Sequence, residues 1–266
     1  MIITIMNNKG GVGKTTTTIN LADALGRKKK KIWVIDNDPQ ANTSSKLINW
    51  KIDSSLYDML SPENSIESID IADFIYPTTC GDNVFITPNE SETAGLEAEI
   101  YLNLKTVNER ILFKFKEIIR KHALKNYDYT LIDCPPNMGS FVLSAMFASD
   151  AIIVPILASS ADSVAGLNKA IELIKLVSNE QNKDLKFLRL LINGYHKGHI
   201  IDKTVLEEVH KNFDKDQVFN TVIPNNTHIA QAEAMNKTVL QYNSQSPGAR
   251  AFRVLSKELI EITGRL

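Results

Sequence analysis

The chain has 266 residues, enough for one large α/β domain or two small ones with a substantial buried core. Hydrophobic residues make up 43% of it and charged residues 23%, and the formal net charge is −1. This balance excludes a globally basic nucleic-acid coat protein, although it leaves local basic patches open. The two cysteines, Cys80 and Cys134, are far apart, so neither a disulfide framework nor a zinc site is indicated.

The amino terminus does not have the pattern of a signal peptide, because its apolar run is short and is interrupted by Asn7. No run approaches the roughly twenty apolar residues that a membrane-spanning helix needs. We therefore expect a soluble cytoplasmic protein with no stable membrane insertion.

The first motif combines an apolar strand over residues 2–6, a glycine-rich turn, and a helix over residues 16–25. This order is typical of a P-loop, in which backbone N–H groups and the positive end of the helix bind phosphate. Asn8 stands where the first glycine of the usual pattern is expected, so the match is to a variant. The predicted nucleotide-binding residues of this turn are Lys9, Gly10, Gly11, Val12, Gly13, Lys14, Thr15 and Thr16.

Residue types within the turn predict different roles. Lys14 is expected to reach the β- and γ-phosphates of ATP, and the hydroxyl of Thr15 is expected to bind Mg²⁺. Lys9 adds a second cation, whose long side chain could cover its own phosphates or reach those of another subunit. The alternative is a flexible turn with two solvated lysines, which the flanking strand and helix disfavour.

Two later strands end in acidic residues. The strand over residues 32–35 leads into Asp36 and Asp38, and the strand at residues 127–132 leads into Asp133. Because the carboxyl ends of parallel strands form the ligand crevice of such sheets, we expect Asp38 to face the γ-phosphate and orient the attacking water. Asp133 is expected to hold Mg²⁺ directly or through water. A simple turn at Asp38-Pro39 is the alternative.

The remaining pattern alternates strands with helices. It predicts an amphipathic stretch at 97–122 with a break near 104–107, strands at 151–156, 187–192 and 218–223, and helices at 164–179, 228–236 and 247–262. The fold class that follows is a doubly wound, mostly parallel α/β sheet with helices on both faces, as a single P-loop NTPase domain over residues 1–266. Asn193 and Pro224 end two strands and could read an adenine edge, although an ordinary turn is as consistent.

Taken in order, these motifs resemble the ParA/MinD family of deviant P-loop ATPases over almost the whole chain. The likeness is closest to short partition ATPases, and its carriers are residues 9–16, 35–40, 131–136, 148–155 and 219–224. Because the P-loop strand starts at residue 2, we expect no amino-terminal helix-turn-helix extension.

The resemblance implies a homodimer that sandwiches two ATP molecules, with Lys9 reaching the phosphates of the partner subunit. It implies that Asp38 activates the hydrolytic water, that Thr15 binds Mg²⁺ directly, and that Asp36 and Asp133 act through the metal's water shell. It also implies nonspecific DNA binding on the nucleoid, a ParB-like or cargo-linked protein that stimulates hydrolysis, and a plasmid, chromosome or other cargo. Candidate DNA contacts are Lys197, Lys203, Lys237, Arg250 and Arg253.

Three alternatives stay open. A MinD-like ATPase that cycles on membranes would carry a basic amphipathic helix at its carboxyl terminus, whereas residues 251–262 have the pattern of a core helix. An iron–sulfur reductase with a related P-loop needs paired cysteine ligands, which Cys80 and Cys134 do not provide. A P-loop biosynthetic enzyme would need a substrate motif, and none is evident.

Overall fold

The computed structural model describes residues 1–61, 64–96, 107–160 and 167–264. Within them, seven strands form one sheet in the order β3-β4-β2-β5-β1-β6-β7. All neighbouring strands are parallel except β3 and β4, which pair antiparallel at one edge. The strands are β1 (Ile2–Ile5), β2 (Ile32–Asp36), β3 (Tyr76–Pro77), β4 (Val84–Thr87), β5 (Tyr129–Asp133), β6 (Ala151–Leu157) and β7 (Lys186–Asn193).

Helices cover both faces of this sheet. They are α1 (Lys14–Gly26), α2 (Asn42–Leu47), α3 (Leu56–Leu60), α4 (Val107–Asn126), α5 (Ser140–Ala148), α6 (Leu167–Glu180), α7 (Ile200–Asn212), α8 (Thr227–Ala234), α9 (Val239–Tyr242) and α10 (Pro247–Thr263). Short 3₁₀ turns occur at Ile66–Ser68, Ile71–Phe74 and Lys215–Gln217. The expected fold class, a mostly parallel α/β sheet of the P-loop NTPase type, is confirmed. No helix among the described residues combines the length and the apolar character that crossing a bilayer requires.

Alternation along the central strands divides the core into two layers. Trp33 and Ile35 of β2 face one cluster, which includes Phe115 of α4, while Val34 faces a second cluster with Phe252 of α10. Successive side chains of a strand point to opposite faces, so a strand covered on both sides reads as a continuous apolar run. This is why β1, β2 and β5 are buried along their whole length.

The carboxyl-terminal helix α10 shows how the sequence sets a helix boundary. Ser246 caps it by accepting a hydrogen bond from the amide of Ala249 at 3.1 Å, and Pro247 occupies its first turn, where a missing N–H costs nothing. Phe252, Leu255 and Leu259 then recur at helical spacing and are fully buried. The predicted core helix at 247–262 is therefore confirmed.

The strand predicted at residues 218–223 is wrong. The segment lies beside β7, and the amides of Phe219 and Ile223 donate to the carbonyls of Leu190 and Ile192, both at 2.9 Å. Its strand-like pairing is nevertheless limited to isolated bridges, Leu190 with Val218 and Tyr195 with Pro224. Glu258 of α10 explains the interruption, because its carboxylate accepts the backbone amides of Asn220 at 2.7 Å and Thr221 at 2.9 Å. The carboxylate of Glu258, on a distant helix, thus binds backbone amides that a strand would use for pairing.

Other boundaries differ less. Helix α8 (Thr227–Ala234) and α6 (Leu167–Glu180) match the predicted helices near 228–236 and 164–179, although residues 164–166 lie outside the described part. The break predicted near residues 104–107 falls almost wholly on residues 97–106, which also lie outside it. Helix α4 is continuous from Val107 onward.

Candidate active site

The P-loop lies between β1 and α1, and two glycines set its path. Gly11 and Gly13 have φ values of 73° and 85°, in the left-handed region that favours glycine. A Cβ on Gly13 would also approach the side-chain nitrogen of Asn193 to 2.8 Å. The turn therefore requires glycine at both positions, and it leads directly into the amino terminus of α1. Amides in the first turn of a helix have no partner within the helix, so they are available to bind an anion.

Asn193, at the end of β7, supports this turn from behind. Its Nδ2 donates to the carbonyl of Val12 at 2.9 Å and to Oγ1 of Thr17 at 3.2 Å. Its Oδ1 is buried and has no hydrogen-bond partner within the described residues. The predicted contact of Asn193 with an adenine stays a prediction, but the side chain already has a role in holding the P-loop.

The two lysines of the loop point in different directions. Nζ of Lys14 donates to the carbonyl of Lys9 at 3.2 Å, inside the curve of the turn. Burial lowers the pKa of Lys14, and the charges of Asp133 and Asp38 act against that shift. Nζ of Lys9 instead donates to Oγ of Ser160, in the loop after β6, at 2.5 Å. Lys14 is thus placed toward the acidic groups of the site, while Lys9 is held at its rim.

Asp133 joins the P-loop helix to α2 through hydroxyl groups. Its Oδ2 accepts hydrogen bonds from Oγ1 of Thr15 and of Thr43, both at 2.7 Å, and its Oδ1 accepts from Thr18 at 3.2 Å. The side chain is fully buried, and burial raises its pKa to about 6. The hydroxyl predicted to bind the metal therefore lies in direct contact with the predicted acidic partner.

Asp36 lies beside Asp133, because β2 and β5 pair in the register that puts these two residues opposite each other. Its Oδ2 accepts from the amide of Ser44 at 2.7 Å and from the hydroxyl of Ser44 at 2.6 Å. Burial, and then the charge of Asp133, raise its pKa to about 7. Two neighbouring buried carboxylates favour a nearby cation, which would offset their repulsion.

Asp38 is nearer to solvent, with 7% of its surface exposed. Its Oδ1 accepts the amide of Gln40 at 2.9 Å, and its own amide donates to Asp36 Oδ1 at 3.3 Å. It lines a cavity of about 430 Å³ together with the P-loop. The lining residues are Gly10, Gly11, Gly13, Lys14, Thr15, Thr16, Asp38, Gln40, Asn42, Lys46, Pro136 and Glu233.

This set of donors suits a magnesium nucleotide. Glycines, helix amides and Lys14 provide positive potential for phosphates, and Thr15 provides a neutral oxygen for a hard cation. No group of three or more His, Cys, Asp or Glu side chains in the described residues is arranged to hold a metal alone. Mg²⁺ usually keeps several waters and takes few protein ligands beside phosphate oxygens.

The structure gathers most of the predicted residues. The cavity is lined by seven of them, Gly10, Gly11, Gly13, Lys14, Thr15, Thr16 and Asp38. Val12, Asp36 and Asp133 are buried. Pro224 follows Ile223, whose carbonyl accepts the amide of Tyr195 at 3.0 Å, just beyond the end of β7.

The candidate DNA contacts are spread over several elements. Lys197 and Lys203 are exposed at the start of α7, Lys237 is exposed between α8 and α9, and Arg250 is exposed on α10. Arg253 is half-buried and donates to the carbonyl of Ser244 at 2.7 Å, which gives it a structural contact.

Some site residues escaped the sequence analysis. Thr43 and Ser44 lie in α2 and bind the two buried carboxylates, and Glu233 on α8 reaches the cavity from far along the chain. The hydroxyl residues carry a signal, since they follow a strand exit with two aspartates and open a helix. Nothing local marks Glu233, because its position depends on the packing of α8.

Fold and site together define a P-loop ATPase. The family described as the AAA domain matches residues 1–187. The chain is 34% identical over 264 residues to the sporulation initiation inhibitor protein Soj of Bacillus subtilis, covering 97% of each. It is 32% identical over 263 residues to the chromosome partitioning protein ParA of Myxococcus xanthus, covering 98% of this chain and 88% of that one.

A solved structure agrees with these relatives. The septum site-determining protein MinD of Pyrococcus horikoshii, complexed with Mg-ADP, matches with a TM-score of 0.77 at 27% identity, over 99% of this chain and 97% of that one. The chain therefore belongs to the ParA/Soj family of P-loop ATPases. The resemblance seen in the sequence is confirmed.

Proposed function

We propose that this ATPase is a switch that dimerises on ATP, binds DNA without sequence preference, and positions a chromosome, plasmid or other cargo. Its membership in a family with Soj and ParA supports a role in partition. The observation that carries the dimer step is the position of Lys9. Its ammonium group lies at the rim of the P-loop, on Ser160, while Lys14 alone enters the curve of the turn.

In the proposed site, Lys14 and the first amides of α1 bind the phosphates, and the hydroxyl of Thr15 is a direct magnesium ligand. When bound, Mg²⁺ neutralises phosphate charge that develops during hydrolysis. Asp133 and Asp36 orient the water shell of the metal. Asp38, at the edge of the cavity, accepts a proton from the attacking water or holds that water in line.

In the dimer, Lys9 exchanges Ser160 for the phosphates of the partner subunit. A cation placed opposite transferring phosphate stabilises the charge of the transition state and ties hydrolysis to assembly. A ParB-like or cargo-linked protein stimulates hydrolysis and resets the cycle. Asn193 and Pro224 bind the adenine edge in this scheme.

DNA binding is proposed to use the phosphate backbone, since the net charge of −1 excludes a strongly basic monomer. A dimer doubles any local patch, and Lys197, Lys203, Lys237 and Arg250 are exposed for it. The protein would then be cytoplasmic and associated with the nucleoid, as one P-loop ATPase domain over residues 1–266. Its DNA affinity should fall steeply with salt.

The proposal is tested with Asp38→Ala. The variant should bind ATP but hydrolyse it at least ~100-fold more slowly, since general-base groups contribute that order of rate. It should then accumulate as a DNA-bound dimer, measured by size-exclusion chromatography with light scattering and by DNA retardation. Asp184→Ala, an exposed acid in the turn before β7, is the control and should behave as wild type.

Two results would contradict the proposal. Normal hydrolysis by Asp38→Ala would remove the water-positioning role, and a monomer at saturating magnesium and non-hydrolysable ATP would remove the dimer switch. Lys9→Ala separates the two steps, because it should still bind ATP as a monomer while failing to dimerise.

A membrane-cycling role is the second candidate, favoured by the likeness to the Pyrococcus MinD structure. Sedimentation with anionic vesicles and with plasmid DNA distinguishes the two. ATP-dependent binding to vesicles with none to DNA would replace the partition proposal by this one.

A further inference from the structure

Glu233 is an acidic residue of the nucleotide cavity that the roles above leave unused. It lies on α8, more than two hundred residues after the P-loop in the chain, and it lines the same cavity as Lys14 and Asp38. The hydroxyl of Thr16, in the first turn of α1, donates a hydrogen bond to its Oε1. A carboxylate from a distant helix is thus brought to the rim of the phosphate-binding turn.

The position of Glu233 is fixed by contacts between α1 and the chain that follows α8. Oδ1 of Asn20 accepts the amide of Val239 at 2.7 Å, and the hydroxyl of Thr238 donates to Asp23. These contacts hold the α8–α9 turn against the buried side of α1. The turn that follows Glu233 is therefore fixed to α1, which keeps Glu233 beside the cavity.

The end of the cavity that Glu233 faces follows from its partner. Lys14 marks the end of the site where the β- and γ-phosphates are expected. The charges of Asp133 and Asp38 act against the lowering of the pKa of Lys14 by burial, so these two acids belong to the same end.

Glu233 instead lies on α8, which begins three residues after Pro224, and Pro224 is proposed above to bind the adenine. Its partner Thr16 follows Thr15 in the first turn of α1, so we place Glu233 on the side of the cavity nearer to the sugar. A carboxylate would repel a phosphate oxygen there, whereas ribose hydroxyls donate hydrogen bonds that a carboxylate accepts.

We propose that Glu233 binds a ribose hydroxyl of the nucleotide and makes the site select ribonucleotides over deoxyribonucleotides. Thr16 orients the side chain through Oε1, and Oε2 accepts the sugar hydroxyl. Acidic side chains recognise ribose hydroxyls in the same way in dinucleotide-binding folds. The inference rests on the placement of the nucleotide in the P-loop cavity proposed above.

Calorimetric titration of the full chain with Mg²⁺ and ADP, 2′-deoxyADP or 3′-deoxyADP tests the proposal. ADP avoids both turnover and ATP-dependent dimers. Wild type should bind ADP about tenfold more tightly than at least one deoxy analogue, the ratio expected for one charge-assisted hydrogen bond. Glu233→Ala should bring that ratio close to one, with ADP weakened to the level of the analogue.

Two further variants sharpen the test. Glu233→Gln keeps an acceptor oxygen and should retain part of the discrimination, while Gln231→Ala, exposed on the same helix, should retain all of it. Far-UV circular dichroism and melting without nucleotide report whether each variant is folded. If Glu233→Ala does not fold, the wild-type ratios and Glu233→Gln decide the question.

The failures are distinguishable. Equal binding of all three nucleotides by wild type would overturn the ribose contact while leaving the nucleotide site intact. Glu233→Ala weakening all three equally would also overturn it and would reduce Glu233 to a link between α8 and α1. If wild type bound none of them, the proposed nucleotide site itself would be wrong.

Discussion

Acidic residues at the amino-terminal ends of the parallel strands, here called the amino edge, have different partners from those at the carboxyl-terminal ends, here called the carboxyl edge. At the amino edge, Asp150 pairs with Arg120 at 2.7 Å and accepts the amide of Ile2 at 2.8 Å. At the carboxyl edge, Asp36 and Asp133 are buried side by side and are bonded by hydroxyl and amide groups, with raised pKa values. Acids that stabilise the fold are paired with cations, whereas the acids of the site are left able to bind one.

The largest effect expected from this difference is on nucleotide affinity. Lys14→Ala should weaken ATP binding by about a hundredfold, because it removes a charge-assisted contact inside the P-loop. Lys28→Ala, in the exposed turn at the amino edge, is the matched control and should leave the dissociation constant unchanged. Isothermal titration calorimetry measures both. Equal losses in the two variants would show that general positive charge, and not the loop, binds the nucleotide.

Replacing an acidic residue at each edge should change the free energy of unfolding in opposite directions. Asp133→Asn removes one of two adjacent buried charges, so it should raise the free energy of unfolding without metal by about 1 kcal/mol. It should also weaken Mg²⁺ binding in the presence of ADP by about 10–100-fold. Asp150→Asn breaks an ion pair and should lower the free energy of unfolding by about 1 kcal/mol with no effect on Mg²⁺.

Urea unfolding with a chelator, and magnesium titration with ADP, provide these measurements. The comparison between the edges fails if Asp133→Asn destabilises the metal-free protein as much as Asp150→Asn does. In that case the main role of the hydrogen bonds from Thr15 and Thr43 to Asp133 would be to stabilise the fold.

The raised pKa values also predict how stability depends on pH. Asp36 titrates near 7 and Asp133 near 6 in the folded chain, against 3.8 for an unperturbed aspartate. Between these values the folded state holds more protons than the unfolded state, so stability falls as pH rises. The metal-free protein should lose roughly 1–2 kcal/mol between about pH 6 and about pH 7.

Urea unfolding at the two pH values, with and without Mg²⁺-ADP, checks this slope. Bound metal should flatten it, because a cation favours the ionised carboxylates. A metal-free protein whose stability rises over the same range would mean that the acidic pair is already ionised and compensated.

The sequence predicted the parts of the site that depend on local order along the chain. The turn from β1 to α1 and the aspartates after β2 and β5 lie at strand exits, and parallel pairing brings strand exits together without further information. Because of this, Lys14, Thr15 and Asp133 could be assigned to one place from their spacing and residue type alone.

What the sequence missed depends on contacts between distant segments. The strand expected at residues 218–223 has the right apolar pattern, but Glu258 binds two of its amides. Glu233 and Ser160 reach the P-loop only through the packing of α8 and of the loop after β6. Neither contact leaves a periodic or compositional signal, so single-sequence reasoning had no basis for them.

The smallest effect is expected at the amino edge, in the lysine-rich turn. Lys30 lies 3.5 Å from Asp128, and both side chains are more than a third exposed. Such a pair contributes about 0.5 kcal/mol or less, since water and salt screen it. Lys30→Ala should therefore shift the urea midpoint barely beyond error and leave the affinities for ATP and DNA unchanged. A clear loss of DNA binding at low salt would instead assign this turn to an anionic partner, and the amino edge would then have a function of its own.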